Sequence, residues 1–165
     1  MAVLTIRRFP DPVLKEKVLP VEKIDGEILE LIKNMADTMY AAPGIGLAAN
    51  QVGILKRVIV VDVDDKLMAF INPEIVWYSD EVEEGEEGCL SVDPDIHVMV
   101  PRSTKIKLRA KNEKGEDIEL EAEGLLARAL QHEVDHINGI IILDRTSPEE
   151  RKKALRELAN KIRRI

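Results

Sequence analysis

The sequence predicts an α+β domain in which antiparallel sheets pack around a central helix, with further helices at the N- and C-terminal ends. Three observations predict it. Apolar residues recur at helical spacing near both ends and again over 124–138. Short β-branched or alternating runs crowd the middle of the chain. A turn signal at Asn112 to Gly115 joins two of those runs into a hairpin. There is no internal repeat, linker or low-complexity stretch, and 165 residues suit one domain spanning 1–165.

Taken in order, Asp11-Pro12 reads as a short helix start, with Asp as N-cap and Pro at the first helical position. From Glu27 to about Ala42 the apolar residues are Ile28, Leu31, Ile32, Met35 and Met39, with Asp25 as cap. Pro43 and Gly44 end that helix, and a Gly-rich segment runs on to Gln51. Arg57 to Val63 and Leu67 to Asn72 are strands separated by Asp64-Asp65. Lys105 to Arg109 and Asp117 to Glu121 alternate polar and apolar, so one face of their hairpin is solvated. A second helix spans about Gly124 to Asn138, with Gly139 as a left-handed C-cap. A third begins at Ser147-Pro148-Glu149-Glu150, a capping box, and carries the stripe Ala154, Leu155, Leu158, Ala159 and Ile162.

Composition narrows the function. An apolar content of 45% with 33% charged residues describes a globular chain rather than a disordered one. No apolar run approaches the ~20 residues of a membrane span, and Met1 to Arg8 lacks a signal core, so a cytoplasmic protein is expected. A net charge of -7 argues against a surface that binds DNA broadly. The charge is uneven: five of the seven residues from Glu81 to Glu87 are acidic, and residues 151–165 carry seven Lys or Arg against one Glu. Both runs read first as solvated surface.

Cys89 is the single cysteine, so no intramolecular disulfide can form, and the histidines number three: His97, His132 and His136. His132-Glu133-Val134-Asp135-His136 is an H-E-x-x-H on a predicted helix. Side chains four apart lie about 40° apart around the axis and about 6 Å along it, so both imidazoles can reach one ion. Glu133 then sits where it can take and return a proton of the water beside that ion. Such a motif can arise by chance, but its apolar flanks Leu125, Leu126, Ala129, Leu130 and Ile137 bury it, and burying these polar groups without a task is costly.

The third ligand separates enzyme classes. One protease pattern continues to a third His, yet Ile142 stands at that position; another takes a downstream Glu, but Glu149 and Glu150 suit the first turn of the last helix. Cys89 would complete a Cys-His-His set with one position open, the geometry of a catalytic rather than a structural site. Taken alone, Cys89 fits a small buried hydrophobe equally well. A zinc endopeptidase and a non-catalytic domain remain the competing readings at this point.

Three segments together resemble the peptide deformylase family. Gly44-Ile45-Gly46-Leu47-Ala48-Ala49-Asn50-Gln51, Glu87-Gly88-Cys89-Leu90-Ser91 and Gln131-His132-Glu133-Val134-Asp135-His136-Ile137-Asn138-Gly139 match its three motifs in order. The resemblance implies that Cys89, His132 and His136 hold a divalent metal, usually Fe(II), with Zn or Ni accepted in its place. It implies that Glu133 is general base and acid, and that Gln51 and the backbone N–H of Leu90 bind the oxyanion. The reaction it implies is hydrolysis of the N-formyl group of formyl-methionyl nascent chains. The metal acidifies water, whose hydroxide attacks the formyl carbon. Gly44, Ile45 and Gly46 are turn residues that would also let a substrate backbone approach, with Ile45 pairing like an added strand. Leu90, Leu125 and Ala129 are candidate walls for the methionine side chain, and each fits core packing as well. Arg128 is expected outside that pocket, facing solvent or an acidic partner.

Other residues receive plainer readings. His97 is expected to be an ordinary strand or surface histidine. Asp135 lies off the ligand face and is a candidate partner for Arg102, while Glu87 and Ser91 could hydrogen-bond the Cys89 loop. The resemblance also implies a ribosomal partner near the nascent-chain exit for the basic run Arg151, Lys152, Lys153, Arg156, Lys161, Arg163 and Arg164.

Overall fold

The runs that alternate or carry β-branched residues assemble into two antiparallel sheets. A computed structural model describes residues 2–163 of the chain. After a single 3-10 turn at Pro12–Lys15, helix α1 covers Gly26–Ala41. Strand β1 is Gly46–Ala48, followed by a 3-10 turn at Ala49–Val52. Strands β2 (Val58–Val63), β3 (Lys66–Tyr78), β4 (Val82–Cys89), β5 (Asp93–Ser103), β6 (Lys105–Lys111) and β7 (Asp117–Glu123) come next. Helices α2 (Gly124–Ile137), α3 (Ile142–Arg145) and α4 (Pro148–Arg163) complete the order. One sheet runs β1-β2-β3-β6-β7, with β1 at its edge; β4 and β5 pair separately as a long hairpin.

Strand β2 shows how alternation builds the core. Val58 and Val60 face α1, clustering with Ile28, Ile32, Met35 and Met39. Ile59 and Val61 face the other way, onto Ala127, Leu130, Val134 and Ile137 of α2. The five-stranded sheet is therefore covered on both faces, and α2 is held between that sheet and the β4–β5 hairpin. The third cluster joins α4 to the hairpin, through Ala154, Leu155 and Leu158 against Val92, Ile96, Val98 and Cys89.

Helix ends follow the expected chemistry. Asp25 caps α1 by accepting from the N–H groups of Glu27 (3.1 Å) and Ile28 (3.2 Å). Ser147 Oγ accepts from Glu150 N–H at 3.2 Å before α4. Gly139 has φ +77, the left-handed conformation that ends α2. The strand expected over 67–72 runs on to Tyr78 through an irregular register with β6. The β4–β5 hairpin is a finding of the structure: its first strand, rich in Glu and Gly, lacks the β-branched run that marks a strand. No helix among the described residues is long and apolar enough to cross a membrane. Of the basic run, Arg164 lies outside the described residues.

Candidate metal centre

Two physical devices deliver the three candidate ligands. Helical spacing puts His132 and His136 on one face of α2, and their Nε2 atoms stand 3.2 Å apart. Cys89 ends β4, where the hairpin register slips beside Gly88, and its Sγ lies 3.3 Å from His136 Nε2. The sulfur and two ring nitrogens all fall within 4.8 Å of one another. A tetrahedral ion with bonds of about 2.0–2.1 Å to nitrogen and about 2.3 Å to sulfur would space its ligand atoms roughly 3.3–3.6 Å apart. The spacings of 3.2 and 3.3 Å about His136 Nε2 lie close to those values. Two imidazoles this close cannot both carry a proton charge, and a bound ion would take the Nε2 lone pair of each.

The carboxylate of the motif sits against this group. Glu133 is buried, and its Oε1 has no hydrogen-bond partner in the protein. Burial pushes its carboxyl up to about 7, where it can both accept and release a proton near neutral pH. Gly46 abuts it so closely that a Cβ there would collide with Glu133 Oε2. An unpartnered buried oxygen beside three convergent donors is what a site for a metal and a water requires.

The turn after β1 organises the opposite wall. The Gln51 side chain accepts from Ala48 N–H at 2.9 Å and donates from Nε2 to Ser91 Oγ at 3.0 Å. The same Nε2 is 3.9 Å from Cys89 Sγ. Asn50 Nδ2 donates to the His136 carbonyl at 2.6 Å, so one turn touches both the sulfur loop and the end of α2.

These groups line an open cleft of about 320 Å³. Every residue proposed from sequence is among them except His136, which lies fully buried beneath: Gly44, Ile45, Gly46, Gln51, Cys89, Leu90, Leu125, Ala129, His132 and Glu133 all face it. Ile45 is half exposed, next to the edge strand β1, and Leu125 is exposed at the mouth. His97 is on β5, as expected, and it also borders the cleft, 3.9 Å from Glu86.

Arg128 corrects the sequence reading in part. It has an acidic partner, but it lines the cleft as well, with Nη1 donating to Glu87 Oε2 at 2.6 Å. Its position four residues before His132, on the same helical face, was the available signal. Behind it lies a buried chain of charge. Arg102 grips Glu87 with two bonds, of 2.9 and 3.0 Å, and donates to Asp135 at 2.5 Å. Arg145 grips the other side of Asp135. Glu87 in turn bonds His132 Nδ1 at 2.9 Å, which leaves Nε2 free to face Cys89 and His136. Burial alone would raise the Glu87 carboxyl, but hydrogen bonds from His132 and Arg102 outweigh it and hold it at about 2.

Known proteins resemble this chain in sequence and in fold. Residues 3–152 match the family model described as polypeptide deformylase. Peptide deformylase 1 of Burkholderia multivorans is 52% identical over 151 residues, covering 90% of this chain and 83% of that protein. The crystal structure of peptide deformylase from Thermotoga maritima superposes with TM-score 0.87 at 48% identity, over 90% of this chain and all of that one. That of the enzyme from Legionella pneumophila gives TM-score 0.92 at 41% identity, over 98% and 96% of the two chains. The chain thus belongs to the peptide deformylase family of enzymes.

Proposed function

We propose that this chain, acting as one catalytic domain, removes the N-formyl group from the N-terminal formyl-methionine of nascent polypeptides in the cytoplasm and releases formate. The observation that carries the reading is the convergence of Cys89 Sγ with the His132 and His136 ring nitrogens beside the unpartnered Glu133 carboxylate. Cys89, His132 and His136 would hold Fe(II), with Zn or Ni able to take its place. When bound, the ion supplies the Lewis acidity that makes water deprotonate near neutral pH.

The remaining work falls to the chain's own groups. Glu133 accepts the proton of the attacking water and returns it to the amine as the formyl C–N bond breaks, so formate and a free amino terminus leave together. Gln51 Nε2 and the Leu90 backbone N–H donate to the formyl oxygen as charge develops there; one such donor is worth about 3 kcal/mol. Ile45, flanked by Gly44 and Gly46 beside the edge strand β1, pairs with the substrate backbone as an added strand. Leu90, Leu125 and Ala129 form an apolar wall for the methionine side chain.

Formate release from a formyl-Met peptide tests this, on protein purified without oxygen and assayed for metal in parallel. Wild type should turn over. Glu133→Ala should keep its metal and lose turnover by about 10²–10⁴-fold. Cys89→Ala should lose both. Cleavage of internal peptide bonds with no formate released would defeat the proposal, as would full activity in Cys89→Ala.

The exposed basic residues Lys152, Lys153 and Arg156 of α4 support a second contact, with ribosomal RNA. Arg151 and Lys161 contribute less to it, being paired to Asp144 and to Asp93 and Asp95. Sedimentation with ribosomes at low and high salt should separate the full chain from one ending at Ser147; equal binding by the two would end this idea.

A further inference from the structure

The ligands of the centre come from two bodies, Cys89 from the β4–β5 hairpin and the histidines from α2, so the site exists only while hairpin and helix stay in register. We propose that Arg128 is a positioning residue that locks the hairpin to the helix and thereby fixes both Cys89 and His132; the inference rests on the metal reading above.

Arg128 projects from α2 one turn before His132, and its guanidinium makes three bonds to the hairpin. Nη1 donates to Glu87 Oε2 at 2.6 Å and to the Val100 carbonyl at 2.9 Å, and Nη2 donates to the Glu83 carbonyl at 2.8 Å. One planar group therefore ties α2 to both strands, β4 through Glu83 and Glu87 and β5 through Val100. Glu87 is the carboxylate that bonds His132 Nδ1, and it stands two residues before Cys89. Locking Glu87 thus orients the imidazole and anchors the end of the strand that carries the sulfur. A planar fork of N–H donors in fixed geometry suits this task; an ammonium has three donors but only one nitrogen, and no fork to reach acceptors on both strands from two positions.

Gly85 supplies independent support. A Cβ at this position would stand 2.6 Å from Arg128 Cζ, so the guanidinium crosses the hairpin where a side chain is missing. The bland strand residue and the arginine form a matched pair. Adding a methyl at 85 should push the flexible end of Arg128 off Glu87 without removing any charge or touching a ligand.

Two variants test the role, Arg128→Met and Gly85→Ala, each measured as zinc-loaded and zinc-free protein. The first readout is the rate at which a strong chelator withdraws Zn²⁺. Both variants should release it at least tenfold faster, since loss of an outer partner of a ligand typically costs 10–100-fold in metal affinity. The second is the His132 Nδ1–H proton resonance, which a merely structural role would leave in place; in both variants it should broaden through exchange with solvent. Arg128→Lys should restore part of each effect. Release rates and resonances equal to wild type would overturn the proposal. The proton readout needs no metal, so it decides the role of Arg128 even if wild type takes up no Zn²⁺, a result that would by itself defeat the metal reading.

Discussion

Two sets of ion pairs in this molecule put the same chemistry, cation against carboxylate, to opposite ends. On the β6–β7 hairpin, Lys105, Lys107, Arg109 and Lys111 pair across the strands with Glu123, Glu121 and Glu119, and Asp117, at 2.9–3.8 Å, most of them well exposed. Between α2 and the β4–β5 hairpin, Arg102, Glu87 and Asp135 are nearly excluded from water, and Arg128 is only 18% exposed. Water screens the first set, whose members can be lost singly. In the second, each charge has been desolvated and depends on its partners. The first decorates a sheet whose core is already formed by Ile106, Leu108 and Ala110; the second joins α2 to the β4–β5 hairpin, the two elements that carry the candidate ligands.

The largest effect expected from that contrast is for Arg102→Met. It leaves Glu87 and Asp135 buried without their shared partner and should cost about 3–5 kcal/mol in urea unfolding. A cost under 1 kcal/mol would put the two sets in one class. An intermediate effect comes from acid. Glu87 titrates at about 2 in the folded protein against 4.5 in a free chain. Its lowered value means that its contribution is full above pH 4.5 and is lost as the pH falls toward 2. The loss is on the order of 3 kcal/mol. Unfolding measured across that window should fall less steeply for Glu87→Gln; parallel curves would contradict the assignment. The smallest effect is for Lys107→Ala on the exposed set, within about 1 kcal/mol and reduced further by salt. A larger, salt-insensitive loss would erase the distinction.

Legibility in the sequence follows the same division. Helix α1, the β6–β7 hairpin and α4 were readable because periodicity of 3.6 or 2 and local caps act within a few residues. The two histidines and Glu133 were readable because a helix converts spacing into geometry. The β4–β5 hairpin was not, because Val82–Cys89 is kept extended by groups distant in sequence, Arg102 and Arg128 among them. The acidic run at 81–87 read as plain surface for the same reason: Glu87, alone among its five acids, is buried. Charge pattern alone does not distinguish it from Glu86; only its place at the head of the Glu87-Gly88-Cys89-Leu90-Ser91 segment does. The acidic partner expected for Arg128 is there in Glu87, and its place in the cleft was legible from the helical spacing to His132, but its main-chain acceptors on both hairpin strands were not.

The central claim, that a thiolate and two imidazoles grip one ion, is open to direct measurement by X-ray absorption at the metal edge of zinc-loaded protein. One sulfur at about 2.3 Å and two imidazole nitrogens at about 2.0–2.1 Å are expected, with the sulfur signal gone in Cys89→Ser. A first shell of nitrogen and oxygen alone in the wild type would contradict it.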